Sequence, residues 1–142
     1  MSKIAIVRVR GIINLSGKVK ETFSLLRLYR KNYCVVVEDS PSYKGMINKV
    51  KDFVTYGEID DGTYKELVEK RSEEFKGREK DSKSKIEYKK FIVVDGKKIK
   101  PFFRLSPPRK GFGRKGIKVS FAAKGALGNR GEKINDLLKR MI

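Results

Sequence analysis

The chain has 142 residues, enough for one compact domain with an extension, and carries 35 Lys and Arg against 17 Asp and Glu, a net charge of +18. It has no histidine and a single cysteine, which excludes His-based catalytic triads, Cys/His zinc sites and any internal disulfide. A surface this cationic repels itself and is relieved by a polyanion, so nucleic acid leads as partner class, with an anionic membrane surface the weaker candidate.

In chain order, Lys3 to Arg10 is β-branched and alternates toward its end, which predicts a strand, followed by a turn over Gly11 to Leu15. Ser16 can cap a helix from Gly17 to about Tyr29, with Val19, Phe23 and Leu26 on one face. Tyr33 to Glu38 is apolar enough for a central strand, in which Cys34 is expected to be a buried, inert thiol. Ser40-Pro41 is a helix-start signal, and Met46, Ile47, Val50, Phe53 and Val54 make an apolar stripe at helical spacing. A third strand is expected over Val54 to Ile59. Thr63-Tyr64-Lys65-Glu66 has the capping-box pattern and predicts a short helix to about Glu74.

Residues 76–90 are nearly all charged or small and read as a connector. Phe91 to Val94, the Asp95-Gly96 turn and Lys97 to Lys100 predict a hairpin. Ile117 to Phe121 alternates like a short strand, and a final helix is expected from about Glu132 to Met141, with Ile134, Leu137, Leu138 and Met141 as its apolar stripe. The elements together predict an α+β fold. A β-α-β-α-β core over residues 1–60, an open sheet with helices on one face, is followed by a short helix and charged connector over 61–90. A basic C-terminal extension over 91–142 ends in a helix that must dock on the core.

The charge is uneven. Residues 96–142 hold 14 basic and 2 acidic side chains, and no acidic residue occurs from Gly96 to Gly131. An ordinary solvated surface mixes both signs. Within this stretch Arg104, Arg109, Lys110, Arg114, Lys115, Lys118, Lys124 and Arg130 are expected to neutralise phosphates, through arginine forks and lysine point charges, on a glycine-rich loop that orders on its partner. Phe112 can stack on an unpaired base or anchor the loop to the core. Asn129, before the last helix, can meet a phosphate or cap the helix. Asn14, Lys18, Arg27, Arg30 and Lys31 form a second basic set around the first helix.

Gly111 to Gly116 matches G-x-G-x-x-G, but Pro107-Pro108-Arg109-Lys110 stands where the dinucleotide fingerprint needs a hydrophobic strand. Glu38-Asp39 are adjacent carboxylates at a strand end. Helix capping explains Asp39 better than acid/base or metal chemistry. No catalytic residue, metal site, cofactor or small-molecule substrate is expected. No apolar run approaches the roughly 20 residues of a membrane span, and the short apolar start does not make a secretory signal, so the chain is expected to be cytoplasmic.

The stretch Val37-Glu38-Asp39-Ser40-Pro41-Ser42-Tyr43-Lys44-Gly45-Met46-Ile47-Asn48-Lys49-Val50 resembles the signature of the large-subunit ribosomal protein thirty family, most specifically over Gly45 to Val50. Phe103 to Arg109 and Gly128 to Asn135 resemble the tail of its archaeal members and of the related eukaryotic large-subunit protein seven. The chain lacks the long basic arm that precedes the first strand in eukaryotic members, which favours the archaeal type. The resemblance implies a somewhat ferredoxin-like core and no enzyme activity. It also implies binding to large-subunit ribosomal RNA, near the 5S RNA and beside neighbouring ribosomal proteins. The alternatives are a free nucleic-acid chaperone or chromatin protein, and an RNA hydrolase using Glu38-Asp39 with a metal.

Overall fold

A computed structural model of the chain describes residues 3–11, 16–74, 92–94 and 96–142. The expected 76–90 connector, Asn14, and Phe91 and Asp95 of the hairpin lie outside the described residues. Six elements form the core: β1 (Lys3–Arg8), α1 (Gly17–Leu26), β2 (Tyr33–Glu38), α2 (Pro41–Val50), β3 (Val54–Ile59) and α3 (Asp61–Arg71). The extension adds the hairpin β4 (Ile92–Val94) and β5 (Lys97–Ile99), two short strands β6 (Phe103–Arg104) and β7 (Gly128–Asn129), and α4 (Ile134–Met141).

Local chemistry sets most boundaries. Ser16 Oγ accepts from the Val19 N–H and Ser40 Oγ from the Tyr43 N–H, with Pro41 opening α2. Helix α1 ends at Leu26, earlier than the expected Tyr29. Arg27 turns left-handed (φ 64°) and directs its N–H back to the Phe23 and Ser24 carbonyls. Helix α3 starts before the expected cap at Thr63, because the Asp60 carboxylate accepts the Thr63 N–H at 2.6 Å and takes that role itself. Strand β1 stops at Arg8, two residues short of the expectation.

In the sheet, β1 lies between β2 and β3 and is antiparallel to both, so β2-α2-β3 is a parallel crossover split around β1. Helices α1 and α2 cover one face, packing Phe23, Leu26, Ile47 and Val50 on Ile6, Val35, Val37 and Val54. This is the expected one-sided core. The extension completes it. Strand β6 pairs antiparallel with β2 and β7 pairs parallel with β3, giving the order β6-β2-β1-β3-β7. Both exposed edges of the three-stranded core are thereby capped by two-residue strands.

Helix α4 then lays Ile134, Leu137, Leu138 and Met141 on the opposite face, against Ala5, Val7, Cys34 and Ile59, with Leu67 of α3 and Phe103 in the same cluster. The buried Cys34 thiol has its pKa pushed up to about 12 by desolvation. Gly57 of β3 makes the close packing of this layer feasible: a Cβ there would lie 2.2 Å from the Gly131 carbonyl oxygen and 2.9 Å from Ile134 Cβ.

The strand expected over Ile117 to Phe121 is absent. The Val119 carbonyl instead accepts the N–H groups of Ala126 and Leu127, closing a compact loop, and Phe121–Ala123 form a 3-10 turn. A second 3-10 turn, Gly131–Lys133, precedes α4, so the helix begins later than Glu132. Among the described residues no helix is long and apolar enough to cross a membrane.

Candidate nucleic-acid interface

The three core strands give the molecule two chemically different ends. At the end where β1 finishes and β2 begins stand Arg10, Arg30 and Lys31. At the opposite end, where β2 and β3 finish and β1 begins, Glu38, Asp39, Glu58, Asp60 and Asp61 stand with Lys3. The extension's basic loop belongs to the cationic end. Phe112 packs with Val9, Ala126 and Leu127 there, and the Leu105 N–H donates to the Asn32 carbonyl beside Lys31. Arg30 and Lys31 of the second basic set thus lie at the same end of the sheet as the loop.

The loop is built rather than loose, against the expectation that it orders only on its partner. The Lys115 N–H donates to the Lys124 carbonyl, and Gly113 sits so close to Gly125 that a Cβ would lie 2.3 Å from the Gly125 oxygen. Arg140 of α4 donates from Nη1 to the Arg109 and Gly111 carbonyls at 2.9 and 2.7 Å, tying the loop to the last helix. A groove of about 750 Å³ opens between residues 112–125 and α4. Arg114, Lys124, Arg130, Lys133 and Arg140 line it against the single carboxylate of Asp136, which pairs with Arg140 at 3.4 Å. The Phe121 ring forms part of the wall, with the Arg130 guanidinium 4.7 Å and the Lys133 ammonium 5.7 Å from its centroid.

The sequence-derived cations divide by environment. Arg109, Lys110, Arg114, Lys115, Lys118 and Lys124 are exposed on the loop. Lys110 and Lys124 are held left-handed (φ 66° and 69°), at loop positions where the chain reverses. Lys18, Arg30 and Lys31 are exposed around α1, and Arg27 is half-buried at its C-terminal cap. Two arginines depart from expectation. Arg104 is engaged by Glu73 through both guanidinium and carboxylate arms, which holds the Glu73 carboxyl below its usual range.

Arg130 is only 6 % exposed. Its guanidinium donates to Thr55 Oγ1 at 2.7 Å, to the Phe112 carbonyl and to the Ala126 carbonyl at 3.2 Å, joining β3 to the loop. Desolvation lowers its pKa to about 10, so it stays a cation at neutral pH, but one whose donors are used inside the protein. Phe112 is half-buried in the same packing and anchors the loop. Asn129 Oδ1 accepts the Gly131 N–H at 2.8 Å and shapes the turn before α4.

Three groove residues escaped the sequence reading: Phe121, Lys133 and Arg140. The spacing of Lys133, Asp136 and Arg140 puts them on one helical face beside the apolar stripe, a signal that was available. Arg8 was missed as well. It alternates with Ile4 and Ile6, is 2 % exposed, donates to the Leu28 carbonyl at 2.7 Å and lies 4.0 Å over the Phe23 ring. Among the described residues no group of His, Cys, Asp or Glu is placed to hold a metal ion, and Asp39 pairs with Lys44 at 3.0 Å.

A family profile described as "Ribosomal protein L30p/L7e" matches residues 4–54. The Large ribosomal subunit protein uL30 of Nanoarchaeum equitans is 45% identical, with 100% of each chain covered. The protein of that name from Methanococcus maripaludis is 44% identical over 97% of this chain and 98% of its own. That of Methanopyrus kandleri is 41% identical over 94% and 100%. The fold, the cationic groove and this likeness along the whole chain agree: the protein belongs to the L30p/L7e family of ribosomal proteins.

Proposed function

We propose that the chain is a structural, non-enzymatic constituent of the large ribosomal subunit that binds ribosomal RNA with the cationic end of its sheet. Arg114, Lys124 and Lys133 bind phosphates in the groove. Arg109, Lys110, Lys115 and Lys118 extend the contact along the loop. Lys18, Arg30 and Lys31, with Asn14, form a second contact beside α1. The proposed partner is large-subunit RNA in the region that carries the 5S RNA, with neighbouring ribosomal proteins around it, in the cytoplasm. The family resemblance supports that location.

The observation that carries the reading is the anchored loop: within a stretch free of acidic residues from Gly96 to Gly131, Arg140 of α4 ties down Arg109 and Gly111, and the neighbouring cations are presented together. Preorganisation of this kind reduces the ordering entropy that a loose basic tail loses on binding. With about six phosphate contacts the log–log salt slope for RNA binding is near −4 on single strands and about −5 on duplex. A slope near zero overturns the reading. Competition between large-subunit RNA and duplex DNA at one salt concentration separates it from a general nucleic-acid chaperone or chromatin protein, which binds both alike.

A further inference from the structure

The loop between α1 and β2 is pinned at both ends and open in the middle. Leu28 is fully buried, and its carbonyl accepts from Nη1 of the buried Arg8 at 2.7 Å. Asn32, held left-handed (φ 69°), donates its N–H to the Arg8 carbonyl at 2.8 Å, and its own carbonyl accepts the Leu105 N–H at 3.3 Å. Between these fixed points Tyr29, Arg30 and Lys31 are all exposed.

The Tyr29 ring is 48 % exposed, yet it is supported. It meets Phe102 of the extension perpendicularly, with centroids 5.5 Å apart, and Phe102 in turn stacks on Tyr33 at 5.3 Å. A perpendicular contact covers at most one face of a ring, so Phe102 leaves Tyr29 at least one face. Consecutive Cα atoms lie about 3.8 Å apart, which places the ring and the two cations within the dimensions of one nucleotide. The core of a protein–protein interface is depleted of lysine, whereas an aromatic face beside a cationic track is how proteins hold unpaired bases. Phe112, the other candidate for stacking, is engaged in anchoring the basic loop.

We propose that Tyr29 stacks on an unpaired base of the RNA while Arg30 and Lys31 meet the phosphates beside it, with Arg8 as the internal strut that positions all three. A base inside a duplex has both faces covered by its neighbours, so the feature read here is a bulge, a loop or a strand end. The proposal rests on the RNA-binding reading.

Its test is binding of the full chain to large-subunit RNA across a salt series. Tyr29→Ala should weaken binding about 5- to 150-fold, the equivalent of about 1–3 kcal/mol per stacked base, with the salt slope unchanged. Tyr29→Phe should bind as wild type, and Lys31→Ala should make the slope shallower by about 0.7–0.9. The chain has no tryptophan, so Tyr29→Trp supplies a single indole whose emission is expected to be quenched by that RNA and not by a blunt duplex RNA. The Trp variant also decides the matter if Tyr29→Ala fails to fold. Wild-type affinity in Tyr29→Ala, equal loss in Tyr29→Phe, or an indole indifferent to the RNA overturns the proposal, and with a wild-type slope near −4 the RNA-binding reading still stands. Equal quenching by the duplex overturns the assignment to an unpaired base. A wild-type slope near zero instead removes the RNA-binding reading and the proposal with it.

Discussion

Arg130 is the residue at which a surface role and an internal role diverge most sharply. As a phosphate ligand its removal would weaken RNA binding and make the salt slope shallower by about 0.7–0.9. The structure gives it another task. Arg130→Met keeps most of the aliphatic stem but removes the donors to Thr55 Oγ1 and to the Phe112 and Ala126 carbonyls, along with the cation over Phe121. Hydrogen bonds from a charged donor contribute about 1.5–3 kcal/mol each, and an orphaned buried acceptor costs about 1–3 kcal/mol. Releasing the desolvated charge offsets part of this, and coupled groups do not add. The expected net loss is about 2–4 kcal/mol. With a urea m-value of about 2 kcal/mol/M the midpoint falls by about 1–2 M. RNA binding measured where the variant is folded keeps the wild-type slope. An unchanged urea midpoint together with a slope shallower by one phosphate contact would refute the internal assignment.

Lys124→Ala and Arg114→Ala should do the converse, leaving the unfolding stability within about 0.5 kcal/mol of wild type and making the salt slope shallower by about 0.7–0.9 each. Gly57→Ala places a methyl 2.2 Å from the Gly131 oxygen, a backbone atom that can move only with α4. Overpacking of this kind costs about 1–3 kcal/mol, read as a lower melting temperature by calorimetry. The Glu73 carboxyl is held below its usual range by the Arg104 hydrogen bond, so the stability it contributes is complete above the ordinary glutamate pKa and lost as pH falls through the depressed one. Melting temperature followed from pH 7 into the acid range should therefore drop less steeply in Glu73→Gln, which starts lower at neutral pH. Cys34 should stay unreactive toward a thiol reagent in the native protein and titrate fully in urea, as its burial and raised pKa require.

The core was legible in the sequence because its signals are local. The Ser16 and Ser40 caps, Pro41 and the alternation through β1 each involve contacts within a few residues. The cationic loop was legible because charge imbalance survives without coordinates. Where the reading departed from the structure, a distant residue had intervened. Ile117 to Phe121 alternates like a strand, but Gly125 comes back against Val119 and its neighbours take the Val119 carbonyl. Thr63 looked like a helix cap until Asp60 supplied a stronger acceptor. Arg104 and Arg130 looked equivalent to Arg109 and Arg114, yet Glu73 lies 31 residues from the first and Thr55 75 residues from the second.

The sequence by itself determined the β-α-β-α-β order and the placement of excess charge, since composition and short-range periodicity are properties of the chain. Tertiary structure alone decided that the extension caps both sheet edges and covers the second face, and which cations are withdrawn into that packing. Burial is set by what lies across the fold: an arginine faces solvent or holds carbonyls according to the residues that distant segments bring to it.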